Sequence, residues 1–309
     1  MEKEFKTIDE QIEILKARNM RLDDYDKAYS ILEKNNYYYL INGYKDLFLD
    51  KSNKKERFID NVNIDEIYSL YNFDKNIKIN FLKYLLHIEN EINTYIAYEF
   101  SKNYGHKNYL VLENFNNSNL NTPQIQKFIN DINLEIQYQY RSSNKMIVHY
   151  LDNYNHIPLW VLVRILSFGK ISKFYSFMKD KDKNMISRKY DLGINEFRIL
   201  LHNLTLIRNI CAHDEKLYDI KMKSRMASTV YHKKMKIPMK NGNYQFATRD
   251  LFSIVIILKM LLNKKDFEVF YKIIIENIQN LEKSISSIRI EKILAKMGFP
   301  QNYKKLKKL

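Results

Sequence analysis

The chain has 309 residues, 45% of them hydrophobic and 14% aromatic, enough to bury a large core and to exclude global disorder. Six glycines and four prolines, where ordinary usage gives about 20 and about 15 at this length, argue against glycine-rich phosphate loops, tight-hairpin sandwiches and doubly wound sheets. Lysine and arginine total 51 against 36 acids, a net charge of +15, and the single cysteine, Cys211, excludes an internal disulfide and a thiolate-rich zinc site.

Apolar spacing predicts helices over Ile8 to Arg18 and Tyr25 to Glu33, with Asp23 and Asp24 as N-caps, and a short one over Ile64 to Tyr71. A long amphipathic run then begins at Asp74, passes through Phe81, Leu85, Ile88, Ile92 and Ile96, and ends at Tyr104-Gly105. The Asn-rich stretch from Glu113 to Pro123 reads as an exposed insertion, followed by a helix from Pro123 to Tyr140. His156-Ile157-Pro158 interrupts the chain before a buried helix from Leu159 to Phe168 that ends at Gly169. Ile194 to Cys211, Leu251 to Leu262 and Phe267 to Ile288 complete the helical set, with a turn or small hairpin tip at Asn241-Gly242. The expected fold is all-α, a helical bundle with an N-terminal helical extension and one basic loop or hairpin excursion.

The opening Met1-Glu2-Lys3-Glu4 lacks the pattern of an export signal, and the most apolar stretch, Phe252 to Leu262, is interrupted by Lys259 and too short to span a bilayer. No membrane partner and a cytoplasmic location are expected.

The positive charge is concentrated. Between Ile220 and Arg249 stand Lys221, Lys223, Arg225, Lys233, Lys234, Lys236, Lys240 and Arg249, with no acid. After Glu291 come six lysines, Lys304 and Lys305 among them, again with no acid. These stretches hold 14 of the 51 basic residues, and the other 37 nearly balance the 36 acids. Such segments are the electrostatic footprint of a polyanion binder, and a nucleic acid is the expected partner.

No nucleotide-binding, zinc-protease or serine-hydrolase motif is present, and none of the seven histidines forms a compact ligand pair in sequence, so no metal and no cofactor are expected. The helix over Ile194 to Cys211 is unusual. On a wheel of about 100° per residue, apolar side chains cover most of its circumference. The remaining strip holds Arg198, His202, Thr205, Arg208, Asn209, Ala212 and His213, with neither Lys nor Glu. An enclosed cleft or a partner helix would suit it. Histidine exchanges protons near neutral pH, and arginine stabilises a pentavalent phosphorus centre. RNA brings its own nucleophile, the 2′-hydroxyl, so cleavage needs only positioned acid–base groups and a cation. One histidine is thin provision for both acid and base, which points to a homodimer through the Arg208/His213 face.

Arg208-Asn209-Ile210-Cys211-Ala212-His213 resembles the R-N-x-x-A-H signature of the HEPN superfamily, within the Abi-like (AbiD/AbiF) abortive-infection family. The likeness extends to Gln11 to Arg18, Asn36-Tyr37-Tyr38-Tyr39-Leu40 with Gly43-Tyr44, Leu70-Tyr71 with Phe73-Asp74, Ile88-Glu89, Pro158-Leu159-Trp160, Phe168-Gly169 and Met297-Gly298-Phe299-Pro300. It implies one Abi-like HEPN domain over 1–309, made of an N-terminal helical extension (1–50), a helical core (60–300) and a basic tail (301–309). It also implies a toxic, metal-independent endoribonuclease of phage defence, in some relatives accompanied by a small structured noncoding RNA. Arg208 and His213 would be catalytic, Asn209 would orient them, and Glu89, with His202 and Arg198, would support them. Where many relatives continue A-H-H-x-R-L-W-N, this chain has Asp214, Glu215, Lys216, Leu217, Tyr218 and Asp219 after His213, and Arg164 stands where relatives often carry an acid. Two other readings follow from the same residues: an RNA-binding protein with a silent or lost nuclease, its exposed tyrosines stacking on bases, and a target of a nucleotidyltransferase marked by adenylylation of Tyr218.

Overall fold

The computed structural model describes residues 4–118 and 121–309; the opening Met1-Glu2-Lys3 and Asn119-Leu120 of the Asn-rich stretch lie outside the described residues. Among the described residues the fold is all-α apart from one small hairpin. Helices α1 (Ile8–Ala17) and α2 (Tyr25–Lys34) lead into a five-residue π-helix, Tyr38–Asn42, and then into α3 (Ile64–Tyr104). After it come α4 (Thr122–Arg141), α5 (Lys145–Tyr154), α6 (Leu159–Leu162), α7 (Phe168–Phe177), α8 (Asp180–Ser187) and α9 (Ile194–Ala212). The basic excursion carries α10 (Val230–Lys234) and the strands β1 (Met239–Lys240) and β2 (Asn243–Tyr244), and α11 (Leu251–Leu261), α12 (Lys264–Ser284) and α13 (Ile290–Met297) follow.

Helix starts follow local chemistry. Thr7 and Glu10 form a capping box on α1, Asp24 caps α2, Asn63 caps α3 and Ser167 caps α7. Asn241 (φ 48°) and Gly242 (φ 74°) join β1 to β2 with both central residues left-handed, as a two-residue type I′ hairpin requires.

The organising element is α3, about 60 Å long at 1.5 Å per residue, which packs against α12, α9, α6 and α8. Buried apolar side chains from Ile12 to Leu306 form one continuous cluster around it. Two polar ties fix α12: Asn80 donates to the Phe270 carbonyl at 3.0 Å, and Glu66 accepts the backbone N–H groups of Ser286 and Ser287 beyond the helix end.

Several elements differ from the sequence expectation. The predicted helices at Ile64 and Asp74 are one helix, because Asp74 is fully buried inside it and spends its carboxylate on other segments rather than on a cap. The predicted helix from Leu159 to Phe168 is instead one turn, α6, and a break; α7 then starts at Phe168, and Gly169 lies in its first turn beside Thr205 of α9 rather than at a helix end. Short periodicity did not reveal α5, α7, α8 or α13, and α12 begins and ends earlier than predicted, at the Asn263 cap and before Ile285. The Asn-rich stretch is not wholly exposed: Phe115 is completely buried and bridges to Met178.

Both basic segments are docked. Met222, Met226, Met235 and Ile237 of the excursion point into the core while its lysines face out. The tail forms a 3₁₀-helix, Tyr303–Lys308, whose spacing buries Tyr303 and Leu306 together and exposes Lys304 and Lys305.

Candidate active site

Helix α9 is built as its wheel suggests: Phe197, Leu200, Leu201, Leu204, Ile207, Ile210 and Cys211 are buried. Arg198, His202, Asn209, Ala212 and His213 are exposed, with Thr205 and Arg208 half-buried, so the strip lies open rather than in an enclosed cleft of this chain. The Nε of Arg208 donates to Oε2 of Glu89, on α3, at 3.1 Å. Glu89 is 8% exposed, so the guanidinium is held from the buried side, and its two Nη groups make no hydrogen bond among the described residues. His202 and Arg198 lie about 9 and about 15 Å from Arg208 along the helix axis and make no side-chain hydrogen bond to it among the described residues. Cys211 is a spectator: burial pushes its thiol up to about 12, so it stays protonated.

His213 is the C-terminal cap of α9, its N–H donating to the Asn209 carbonyl at 2.9 Å, and its exposed imidazole makes no hydrogen bond among the described residues. The side chain of Asn209 is likewise unbonded there. What orients the end of α9 is a buried network that sequence reasoning missed. Asp214 takes a left-handed φ of 56°, and the Glu215 N–H returns to the Ile210 carbonyl at 3.0 Å, the bond of a Schellman cap. Lys78 of α3, 3% exposed, donates to the carbonyls of Asp214 (3.3 Å) and Glu215 (3.1 Å) and pairs with the Asp214 carboxylate at 2.6 Å. One turn earlier Asp74 accepts the N–H groups of Leu217 and Tyr218 and the Tyr44 hydroxyl, and it lies 3.5 Å from Lys78. Burial pushes the Asp74 carboxyl up, opposed by Lys78 and these hydrogen bonds. Asp74 and Tyr44 stand in the stretches that carry the resemblance; an Asp and a Lys four residues apart on an apolar helix face are the signal that could have found the network.

The network accounts for the departures after His213. Asp214 is one of the few residue types that tolerate a left-handed backbone, and here its carboxylate also engages Lys78. Leu217 is buried, Lys216 pairs with Asp219 at 2.9 Å, and the Tyr218 ring stacks on Tyr44 at 5.7 Å. Tyr218 is completely buried, hydroxyl included, so it is not presented to a modifying enzyme, which corrects the adenylylation reading. Beside this segment the exposed Tyr38 and Tyr39 of the π-helix form, with Tyr44, Glu215 and Lys216, a cavity of about 320 Å³. Arg164 donates to Asn90, the neighbour of Glu89, at 2.5 Å, so it lies close to the Arg208 anchor.

All nine basic residues expected to meet RNA (Lys221, Lys223, Arg225, Lys233, Lys234, Lys236, Lys240, Lys304 and Lys305) are exposed. Lys221 and Arg225 are partly occupied, donating to the carbonyls of Lys296 and Tyr244. Excursion and tail meet at a cleft of about 710 Å³ lined by Tyr231, Lys259, Lys264, Glu268, Lys307 and Lys308; Lys307 and Lys308 belong to the basic tail, whereas Lys259 and Lys264 lie outside both basic segments. Burial lowers the Lys259 pKa and the charges of Lys264 and Lys234 lower it further, against Glu268, as expected of crowded cations.

The chain is all-α, and its polar helix strip ends in an anchored arginine and an open histidine. The chain belongs to the Abi-like protein family, whose family model matches residues 30–219, from α2 to the segment clamped by Asp74. Membership associates it with abortive-infection defence against phage. The basic excursion and the tail lie beyond the matched residues. Comparisons with curated proteins and with solved structures each return no match. No described helix is long and apolar enough to cross a membrane.

Proposed function

We propose that the chain is a HEPN-type endoribonuclease that works without a metal and acts in abortive infection. The observation that carries this reading is the pairing of Arg208 with the buried Glu89, which leaves the Nη groups unbonded five residues before an unbonded imidazole. In the reaction the RNA 2′-hydroxyl attacks the adjacent phosphorus and the 5′-oxygen leaves, giving a 2′,3′-cyclic phosphate and a 5′-hydroxyl. His213 moves a proton as base or acid, and Arg208 stabilises the phosphorane. Asn209 faces the same solvent and is available to the substrate. Arg208→Ala and His213→Ala each abolish RNA cleavage and toxicity while leaving the helical circular dichroism intact; undiminished cleavage by both removes the assignment. Cleavage that stops in EDTA and returns with a divalent ion removes the metal-free mechanism.

A single imidazole at the Arg208 end of the strip supports a homodimer through the Arg208/His213 face, which light scattering tests directly. The lysine cleft favours a second reading, in which the chain grips a structured RNA in a toxin–antitoxin-like ribonucleoprotein and its own nuclease is silent or lost. RNA affinity then falls steeply with salt and cleavage is absent even at low salt.

A further inference from the structure

Next to the anchored arginine, α3 and α6 enclose a groove of about 450 Å³ that the proposed chemistry does not use. It begins at Asn90 and Arg164 and runs along α3 to Lys102 and His106, about 18 Å at the helical rise. Tyr98 (61% exposed) and Trp160 (54%) line it from α3 and from α6, and among the described residues no acid does. Asn93 lines it too: it is 6% exposed, its Oδ1 is buried without a partner, and its carboxamide makes no hydrogen bond among the described residues. The Ser101 hydroxyl, further along, is buried and unpartnered as well. Unsatisfied buried polar groups are costly, and two of them belong to residues of this one groove, where a small side-chain shift brings them to a ligand.

We infer that the groove receives an unpaired base of the RNA strand on which Arg208 and His213 act. The inference rests on the ribonuclease reading and adds a recognition subsite to it. Aromatic side chains stack on unstacked bases, an Asn carboxamide matches the paired donor and acceptor of a base edge, and Arg164 and Lys102 suit the flanking phosphates. Because Asn90 directly follows Glu89 on α3, the groove opens beside the Arg208 anchor. A base held in a duplex is stacked and paired and does not enter.

Trp160 is the only tryptophan, so its emission reports the groove. The test uses the full chain silenced by His213→Ala, with labelled 10-nucleotide single-stranded RNA and the matching duplex. Label anisotropy measures binding, and Trp160 emission measures occupancy. Single-stranded RNA quenches Trp160 saturably and the duplex does not. Tyr98→Ala, an exposed position that leaves folding intact, and Asn93→Ala each weaken the quenching transition about 10-fold. Single-stranded RNA that binds by anisotropy without changing Trp160 emission, or binds Tyr98→Ala as tightly as the parent, overturns the groove and leaves the ribonuclease reading standing. RNA that binds by neither signal overturns both.

Discussion

Replacing Lys78 by methionine removes the ammonium that joins Asp74 to the end of α9 while keeping the aliphatic bulk. In the folded chain that ammonium is 3.5 Å from the Asp74 carboxylate, 2.6 Å from that of Asp214, and caps two carbonyls. Its loss leaves the Asp74 charge buried without a counter-ion, which costs about 3–5 kcal/mol at neutral pH. Burial already pushes the Asp74 carboxyl up, and without Lys78 the opposing charge is gone. Asp74 then takes a proton more readily, and protonation relieves the unpaired charge. The stability gap between parent and Lys78→Met therefore narrows as pH falls from neutral toward the ordinary carboxylate range. Adding Asp74→Asn removes the charge but keeps an oxygen for the Leu217 and Tyr218 amides, so the double variant recovers part of the loss. Urea unfolding at pH 7 and pH 5 measures both effects, and hydrogen exchange at Leu217 and Tyr218 localises them. A loss under about 1 kcal/mol at pH 7, or a gap that widens in acid, refutes the reasoning.

Glu89→Gln keeps the shape but weakens the hold on Arg208, and a guanidinium free to wander lowers kcat by about 100-fold with little change in KM; an unchanged kcat separates Glu89 from the chemistry. Gly298 has φ 78°, and a Cβ there would overlap the buried carboxyl of Asp250, so Gly298→Ala costs about 2–5 kcal/mol in urea unfolding, and a cost below about 1 kcal/mol contradicts the packing. His232 is fully buried, its Nδ1 accepting the Thr229 N–H and its Nε2 donating to the Ala247 carbonyl, and burial lowers its pKa. The unfolded chain thus binds the extra proton, and stability present above about pH 6.5 is lost as pH falls below that value, by at most about 1.4 kcal/mol per pH unit. Asp250 nearby, pushed up by burial, contributes with the opposite sign at lower pH, so the difference from His232→Gln isolates the histidine; no difference between the two pH profiles refutes it.

The long periodic elements were legible in the sequence because their apolar spacing repeats over many turns: α3 beyond Asp74, α9, α11 and most of α12 fall where predicted. Short helices such as α5 and α8 have too few turns for periodicity to separate them from loops, and they form because neighbours bury Ile147 and Ile186. The character of α9 was equally legible, since the residue types on its polar strip are independent of what packs around it.

Apolar periodicity, charge and the likeness to the R-N-x-x-A-H signature are legible in the chain itself, and from them came the all-α class, the two basic segments and the choice of Arg208 and His213. Contacts between distant segments have no local signature. The family likeness named Glu89 as a support, but the tertiary structure put its carboxylate on the Arg208 Nε across 119 positions, and it alone set Lys78 under Asp214 across 136 and laid His106 Nε2 3.1 Å from His156 Nε2 at the end of the groove. It also decided that Asp74, which reads in the sequence as a helix start, is a buried clamp, because a carboxylate's role depends on which donors the fold delivers to it.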